Sequence, residues 1–317
     1  MNETVNAIVQ ESIFLSVGND GDELHLRHFR PAETPARDVL LLLHGAIENG
    51  RIFYSADGRK GLAPFLCQNG FEVLVGDLRG RGQSRPHVNR HSQYGQTEAI
   101  TEDLSVMADF ASQLAAGRPQ HWLAHSWGGV LMAAHLLRYP QRIPTVASLT
   151  FFGSKRSVSA RNFKRYLGID LVWNRAAKLA TARYGYLPAR RLKLGSDDES
   201  RLSHAQSVLW VKNKKRWIDP VDGFDYGAAV RNNPLPLPRT LSLAGVSDAY
   251  LGNPLDVERF ARECGLPPGS FLLLSKANGH RKNYGHIDML TDPEAIHDHF
   301  PLVNNWLTSR TPRAGQE

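Results

Sequence analysis

The stretch HWLAHSWGGVLMAAHLLRYP, residues 121–140, runs a short apolar strand into an apolar helix through a turn at Ser126. His121 to Ser126 has the length of a buried strand. Trp127 onward carries helical spacing until Pro140, which cannot extend a helix. Ala124 and Gly128 stand two residues before and two after the serine, and Gly129 follows. Small residues there relieve backbone crowding when a serine is held on a sharp strand-to-helix turn. A five-residue match of this kind arises by chance. Its placement between a strand and a helix is what points to a nucleophile. The competing reading is a tight turn with an ordinary capping serine.

Outward from this turn the same alternation recurs. SIFLSVG (12–18) and ELHLRHF (23–29) read as two strands joined at Asn19-Asp20-Gly21. VLLLLHG (39–45), FEVLVGDL (71–78), VASLTFF (146–152), TLSLAGVSD (240–248) and FLLLSKANG (271–279) read as further strands. Helices are expected over 61–70, 98–117, 254–265 and 293–307. Strand alternating with helix implies an α/β fold: a doubly wound, mostly parallel eight-stranded sheet whose first two strands add an antiparallel edge. Chemistry in such a sheet sits beyond the carboxyl ends of the strands, just after residues 45, 78, 126, 153, 248 and 279.

Residues 154–238 break the alternation. They separate two core strands by far more than a normal connection and contain helical pieces at 160–185 and 203–217. The expected organisation is a core of 1–153 and 239–317 with an inserted helical cap at 154–238. The net charge of +7 is concentrated there. Lys155 to Pro238 holds 17 Lys/Arg and 7 Asp/Glu, an excess of ten, which leaves −3 for the rest. A solvated helical face accounts for such a segment, including the run Lys212-Asn213-Lys214-Lys215-Arg216. No aromatic ribonucleoprotein motif or zinc spacing supports nucleic acid. The cap aromatics Phe163, Tyr166, Trp173, Tyr184, Tyr186, Trp210 and Trp217 are expected mainly to pack its interior.

No apolar run reaches membrane-spanning length. The first residues, MNETVNAIVQESIFL, lack the basic segment of a secretory signal. Cys67 and Cys264 fit no metal or redox spacing and are expected to be reduced, although a pair could form in an oxidising compartment. A cytoplasmic location is the default expectation. No phosphate loop or metal motif is present, so no cofactor or metal is expected. The tail SRTPRAGQE (309–317) is expected to fray.

Leu43-His44-Gly45, the run Gly76 to Ser84, the Ala-His-Ser-Trp-Gly-Gly turn and Tyr284-Gly285-His286 occur in the order seen in α/β-hydrolases, which the chain resembles over roughly 38–154 and 239–308. Leu41 to His87 also resembles the acid-lipase branch, with its HG turn and RG…S segment. The resemblance implies a chain order of nucleophile, acid, histidine. A serine needs a base, because its hydroxyl is a poor nucleophile at neutral pH. After the last strand His280 and His286 are the candidates, and His286 matches the family position before a helix. Asp248 sits in the family's G-x-x-D form. Relatives that take the acid from the preceding strand's end have no counterpart here, since Phe152-Gly153-Ser154 offers none. The oxyanion hole is expected from the backbone N–H groups of Ala46 and Trp127. His44 and Asp77 are expected to brace their loops, and Asp288 to be structural. His125 is open between lining the pocket and packing.

The expectation is a serine hydrolase that cleaves a small-molecule carboxylic ester through an acyl-enzyme. The alternatives are a peptidase, thioesterase or acyltransferase with the same residues, or a ligand-binding homologue without catalysis. Ser126 argues against a halide-displacing relative, which would carry Asp. An anionic membrane surface is the partner that the basic cap and the acid-lipase resemblance share.

Overall fold

The computed structural model describes residues 7–18, 21–159, 177–267 and 271–309. Its strands are β1 (Ile8–Val17), β2 (Asp22–Pro31), β3 (Val39–Leu43), β4 (Glu72–Asp77), β5 (Gln120–His125), β6 (Val146–Phe152), β7 (Tyr186–Leu187), β8 (Glu199–Ser200), β9 (Thr240–Gly245) and β10 (Phe271–Leu274). Eight form one sheet in the order β1-β2-β4-β3-β5-β6-β9-β10. The pairs β1·β2 and β2·β4 are antiparallel and the rest are parallel. The short β7 and β8 pair with each other, apart from that sheet.

The central strands are apolar on both faces because helices cover both. Leu40, Leu42, Val73, Val75 and Leu123 pack toward the helices Leu62–Gln68 and His299–Thr308. Their alternating neighbours Leu41, Leu43, Leu74, Trp122 and Ala124 pack toward the helices Leu104–Ala115 and Trp127–Arg138. A strand's period of two sorts one continuous apolar run into two cores. Cys67 lies in the first core and Cys264 in the second, both free and buried, so the two are not a pair.

Several elements differ from their expected form. The helix expected over 98–117 starts at Gln96 and passes through a π turn, Ala99–Asp103, before the α-helix Leu104–Ala115. Glu98 closes its start by accepting from the Gly95 amide at 2.6 Å. The helix expected over 293–307 breaks at Asp298 into a 3-10 turn, Pro293–His297, and the helix His299–Thr308. The break places Pro301 in the first turn, where its missing N–H costs no helical bond. The expected strand over 271–279 stops at Leu274 and becomes a turn ending at Gly279. Asn19 and Asp20 of the expected hairpin turn, most of the helical piece at 160–185 with Phe163, Tyr166 and Trp173, and the tail beyond Ser309 lie outside the described residues.

Between β6 and β9 the helices Ala177–Tyr184, Arg201–Lys212 and Tyr226–Asn232 stand outside the sheet. Trp210, Trp217 and Tyr226 pack on one another and on Phe260, all nearly or fully buried. The run after Lys212 leaves the helix and is exposed. No described helix is long and apolar enough to cross a membrane.

Candidate active site

Ser126 lies between β5 and the helix Trp127–Arg138 with φ 51° and ψ −119°, a conformation that costs an L-residue about 1–3 kcal/mol. The surroundings hold it there. Its N–H donates to the Phe152 carbonyl at 2.7 Å. The following turn passes so close to the end of β3 that a Cβ on Gly128 would stand 2.5 Å from the His44 carbonyl oxygen. Only glycine leaves room for that approach.

Two further loops converge on the serine hydroxyl. His286 Nε2 is 2.9 Å from Ser126 Oγ, and His286 Nδ1 is 2.6 Å from Asp248 Oδ2. Asp248 follows β9, and its other oxygen accepts from the Leu251 amide at 2.9 Å. Gly153, at the end of β6, leaves space for the ring: a Cβ there would come within 2.9 Å of His286. Asp288 shapes the His286 loop by accepting from the Gly285 amide at 2.6 Å. His280 is engaged elsewhere, with Asp298 at 2.8 Å.

The electrostatics follow from burial. For His286 burial is the largest influence and lowers its pKa; His125 works the same way, and Asp248 and Glu48 oppose it. Burial works against the Asp248 carboxylate, but the hydrogen bond and charge of His286 outweigh it, and its pKa is lowered.

The turn after β3 forms the facing wall. The His44 ring is fully buried, with Nδ1 2.8 Å from the Gly45 carbonyl and Nε2 accepting from the Leu78 amide at 3.1 Å. Burial lowers its pKa, so the neutral ring braces the turn. Asp77 accepts from the amides of Gly50 and Gln83 and lies 2.8 Å from His25. Ala46 and Trp127 both line the cavity that contains Ser126 and His286. That cavity has a volume of about 1030 Å³. Ile52, Leu194, Val211 and Leu251 supply apolar wall, the middle two from between β6 and β9. The chain between β8 and the preceding loop is tied to this wall: Asp197 donates its N–H to the Ile47 carbonyl and its carboxylate accepts from Asn49 and Gly82.

Two residues at the site have no role in the sequence reading. Glu48 accepts from the Gly45 amide and lies 2.8 Å from His125 Nδ1, which settles His125 as a buried partner of the site. Lys155 reaches the cavity from beyond β6. Both follow carboxyl ends of strands, the positions where chemistry is expected, and an ionisable residue there is the signal that finds them. Among the described residues no group of His, Cys, Asp and Glu could hold a metal ion.

The profile of proteins with the alpha/beta hydrolase fold matches residues 38–214, more than half of the chain. The chain belongs to this alpha/beta hydrolase family. Within it, the chain is 27% identical over 137 residues to a probable lysophospholipase L2 of Haemophilus influenzae, covering 43% of this chain and 42% of that one. It is 36% identical over 100 residues to the bifunctional epoxide hydrolase 2 of Sus scrofa, covering 30% of this chain and 17% of that one. It therefore spans less than half the length of either relative. Among solved structures, a soluble variant of the Saccharomyces cerevisiae monoglyceride lipase shares the alpha/beta hydrolase fold at a TM-score of 0.63, with 18% identity and 98% of each chain covered.

Proposed function

We propose that the chain is a serine hydrolase that cleaves a carboxylic ester through an acyl-enzyme. The observation that carries this is the hydrogen-bonded chain from Ser126 through His286 to Asp248, set at the wall of a large cavity beneath the insert. Ser126 Oγ attacks the ester carbonyl while His286 Nε2 takes its proton. His286 then returns that proton to the leaving alcohol. Asp248 holds the imidazole in the tautomer with Nδ1–H and stabilises the imidazolium. The amides of Ala46 and Trp127 serve the developing oxyanion. Water repeats the sequence on the acyl-enzyme and releases the acid.

Residues 154–238 act as a cap that shapes the acyl or alcohol site. The relative named as a lysophospholipase supports ester cleavage. The epoxide hydrolase relative is matched over a third of the chain or less and says nothing of the leaving group. Incubation with a fluorophosphonate, followed by peptide mass spectrometry, tests the reading. The adduct is expected on Ser126, with turnover of p-nitrophenyl butyrate lost in step. Turnover that survives full labelling, or an adduct elsewhere, overturns it.

A further inference from the structure

The cavity carries an excess of positive charge that the ester chemistry does not use. Arg51, Lys155, Arg190 and Lys193 line it. Among the described residues that line it, the only carboxylate is Glu48, already engaged by His125 and the Gly45 amide. Exposed cations at a rim are common, so Arg51, Arg190 and Lys193 alone decide nothing.

Lys155 is different. It is only 8% exposed, and among the described residues its ammonium has neither a hydrogen bond nor an ion pair. The carboxylates that act on it are Asp248 and Asp256. Asp248 is held by His286, and Asp256 by Ser159 and by Arg259. An ammonium so little reached by water and without a partner is disfavoured in its charged form, and burial lowers its pKa accordingly. An anion entering the cavity would supply what it lacks. The loop with Arg190 and Lys193 is fixed over the same space, since it leads into the Asp197 clasp on the Ile47–Asn49 turn.

We propose that the cavity binds an ester bearing an anionic group, a carboxylate or a phosphate, seated on Lys155 with Arg190 and Lys193 closing around it. This rests on reading the cavity as the ester site. The anion is assigned to the residue beyond the carboxyl end of β6, whereas the oxyanion amides belong to the turns after β3 and β5. Its attraction acts in a partly enclosed space, where charge pairs are screened less than at an open surface.

The test is binding to the Ser126→Ala protein, which turns nothing over. Two pairs of ligands are compared by calorimetry: monomethyl adipate against dimethyl adipate, and hexanoyl glycerol phosphate against hexanoyl glycerol. At least one anionic member is expected to bind tenfold or more tightly than its neutral partner. The pair that discriminates identifies carboxylate or phosphate. Adding Lys155→Gln, or Lys155→Met should the amide impair folding, is expected to abolish the preference and leave neutral-ligand binding within about twofold. Equal binding within both pairs, or a preference that survives loss of the lysine, overturns the proposal. Failure of the hydrolase reading shows separately, as absence of fluorophosphonate labelling and ester turnover in the unsubstituted chain.

Discussion

Glu48 Oε2 stands 2.8 Å from His125 Nδ1, while the other nitrogen of that ring lies 3.0 Å from the His286 carbonyl oxygen. A carboxylate and a carbonyl can only accept, so this setting favours the ring with both nitrogens protonated. Burial opposes charge on both partners, yet each outweighs it for the other. The His125 pKa is raised, and the Glu48 carboxyl is held down at about 2. The residue before the nucleophile is thereby tied both to the turn after β3 and to the backbone of the histidine.

Glu48 is therefore expected to act as a positioning residue. Glu48→Gln leaves a buried ring without its counter-charge, and its cost is about 2 kcal/mol in stability. kcat should fall about tenfold with KM little changed, because the spacing of His286 from Ser126 is loosened while the cavity is kept. The sign of the pH dependence follows from the two shifts. The Glu48 contribution is in place above the unfolded value of 4.5 and is lost as pH falls toward 2. The His125 contribution is in place below 6.5 and is lost as pH rises through its higher folded value. The difference in melting temperature between the two proteins should peak between pH 4.5 and 6.5. A folded variant with native kcat and a flat difference would show that the pair is incidental.

Ser126→Ala should fold as the unsubstituted chain does, since the Phe152 carbonyl contact is made by the backbone amide. Ester turnover should drop by at least about 10³-fold and fluorophosphonate labelling should vanish. Labelling retained in the variant would remove the serine from its role.

His286→Ala is expected to be nearly inactive and His280→Ala to keep most activity, because His280 is held by Asp298. Asp248→Asn should impair the chemical step far more than Asp288→Asn, whose carboxylate touches the Gly285 amide. The reverse ranking in either pair, in folded variants, would reassign the base or the acid. The base must be neutral to accept a proton, and burial lowers the His286 pKa below 6.5. kcat/KM should therefore rise with pH and level off through an apparent pKa below 6.5. A limb centred well above that value would contradict the burial argument.

The sheet was legible because its strands are buried on both faces, so Val39–Leu43 and Val146–Phe152 announce themselves as continuous apolar runs. Ser126 was legible because the turn demands small neighbours at fixed offsets. The structure brings His286 and Asp248 to that serine, as chain order implies. What escaped depends on contacts remote in sequence. Glu48 meets His125 across 77 residues, and nothing in either neighbourhood announces the other. The π turn at Ala99–Asp103 keeps near-helical spacing, so periodicity does not separate it from an α-helix. The break at Asp298 was marked by Pro301, which a continuous helix from 293 would not tolerate.

A cavity of about 1030 Å³ at the upper end of small-molecule sites, walled in part by Ile52, Leu194, Val211 and Leu251, favours an apolar chain of some length over a bare acetyl group. Each methylene moved from water into such a wall contributes about 0.8 kcal/mol, so kcat/KM should climb about fourfold per carbon until the wall is filled. The loop tied to the Ile47–Asn49 turn by Asp197 stands beside the cavity and should hinder an extended polypeptide. A series of p-nitrophenyl esters from acetate to dodecanoate, run beside amino-acid p-nitroanilides, is expected to peak at a short to medium acyl chain. Every anilide should be cleaved at least about 10²-fold more slowly than the best ester. If proline or other amino-terminal anilides are instead cleaved faster than every ester, the cavity serves a peptidase, and Ser126 acts on an amide.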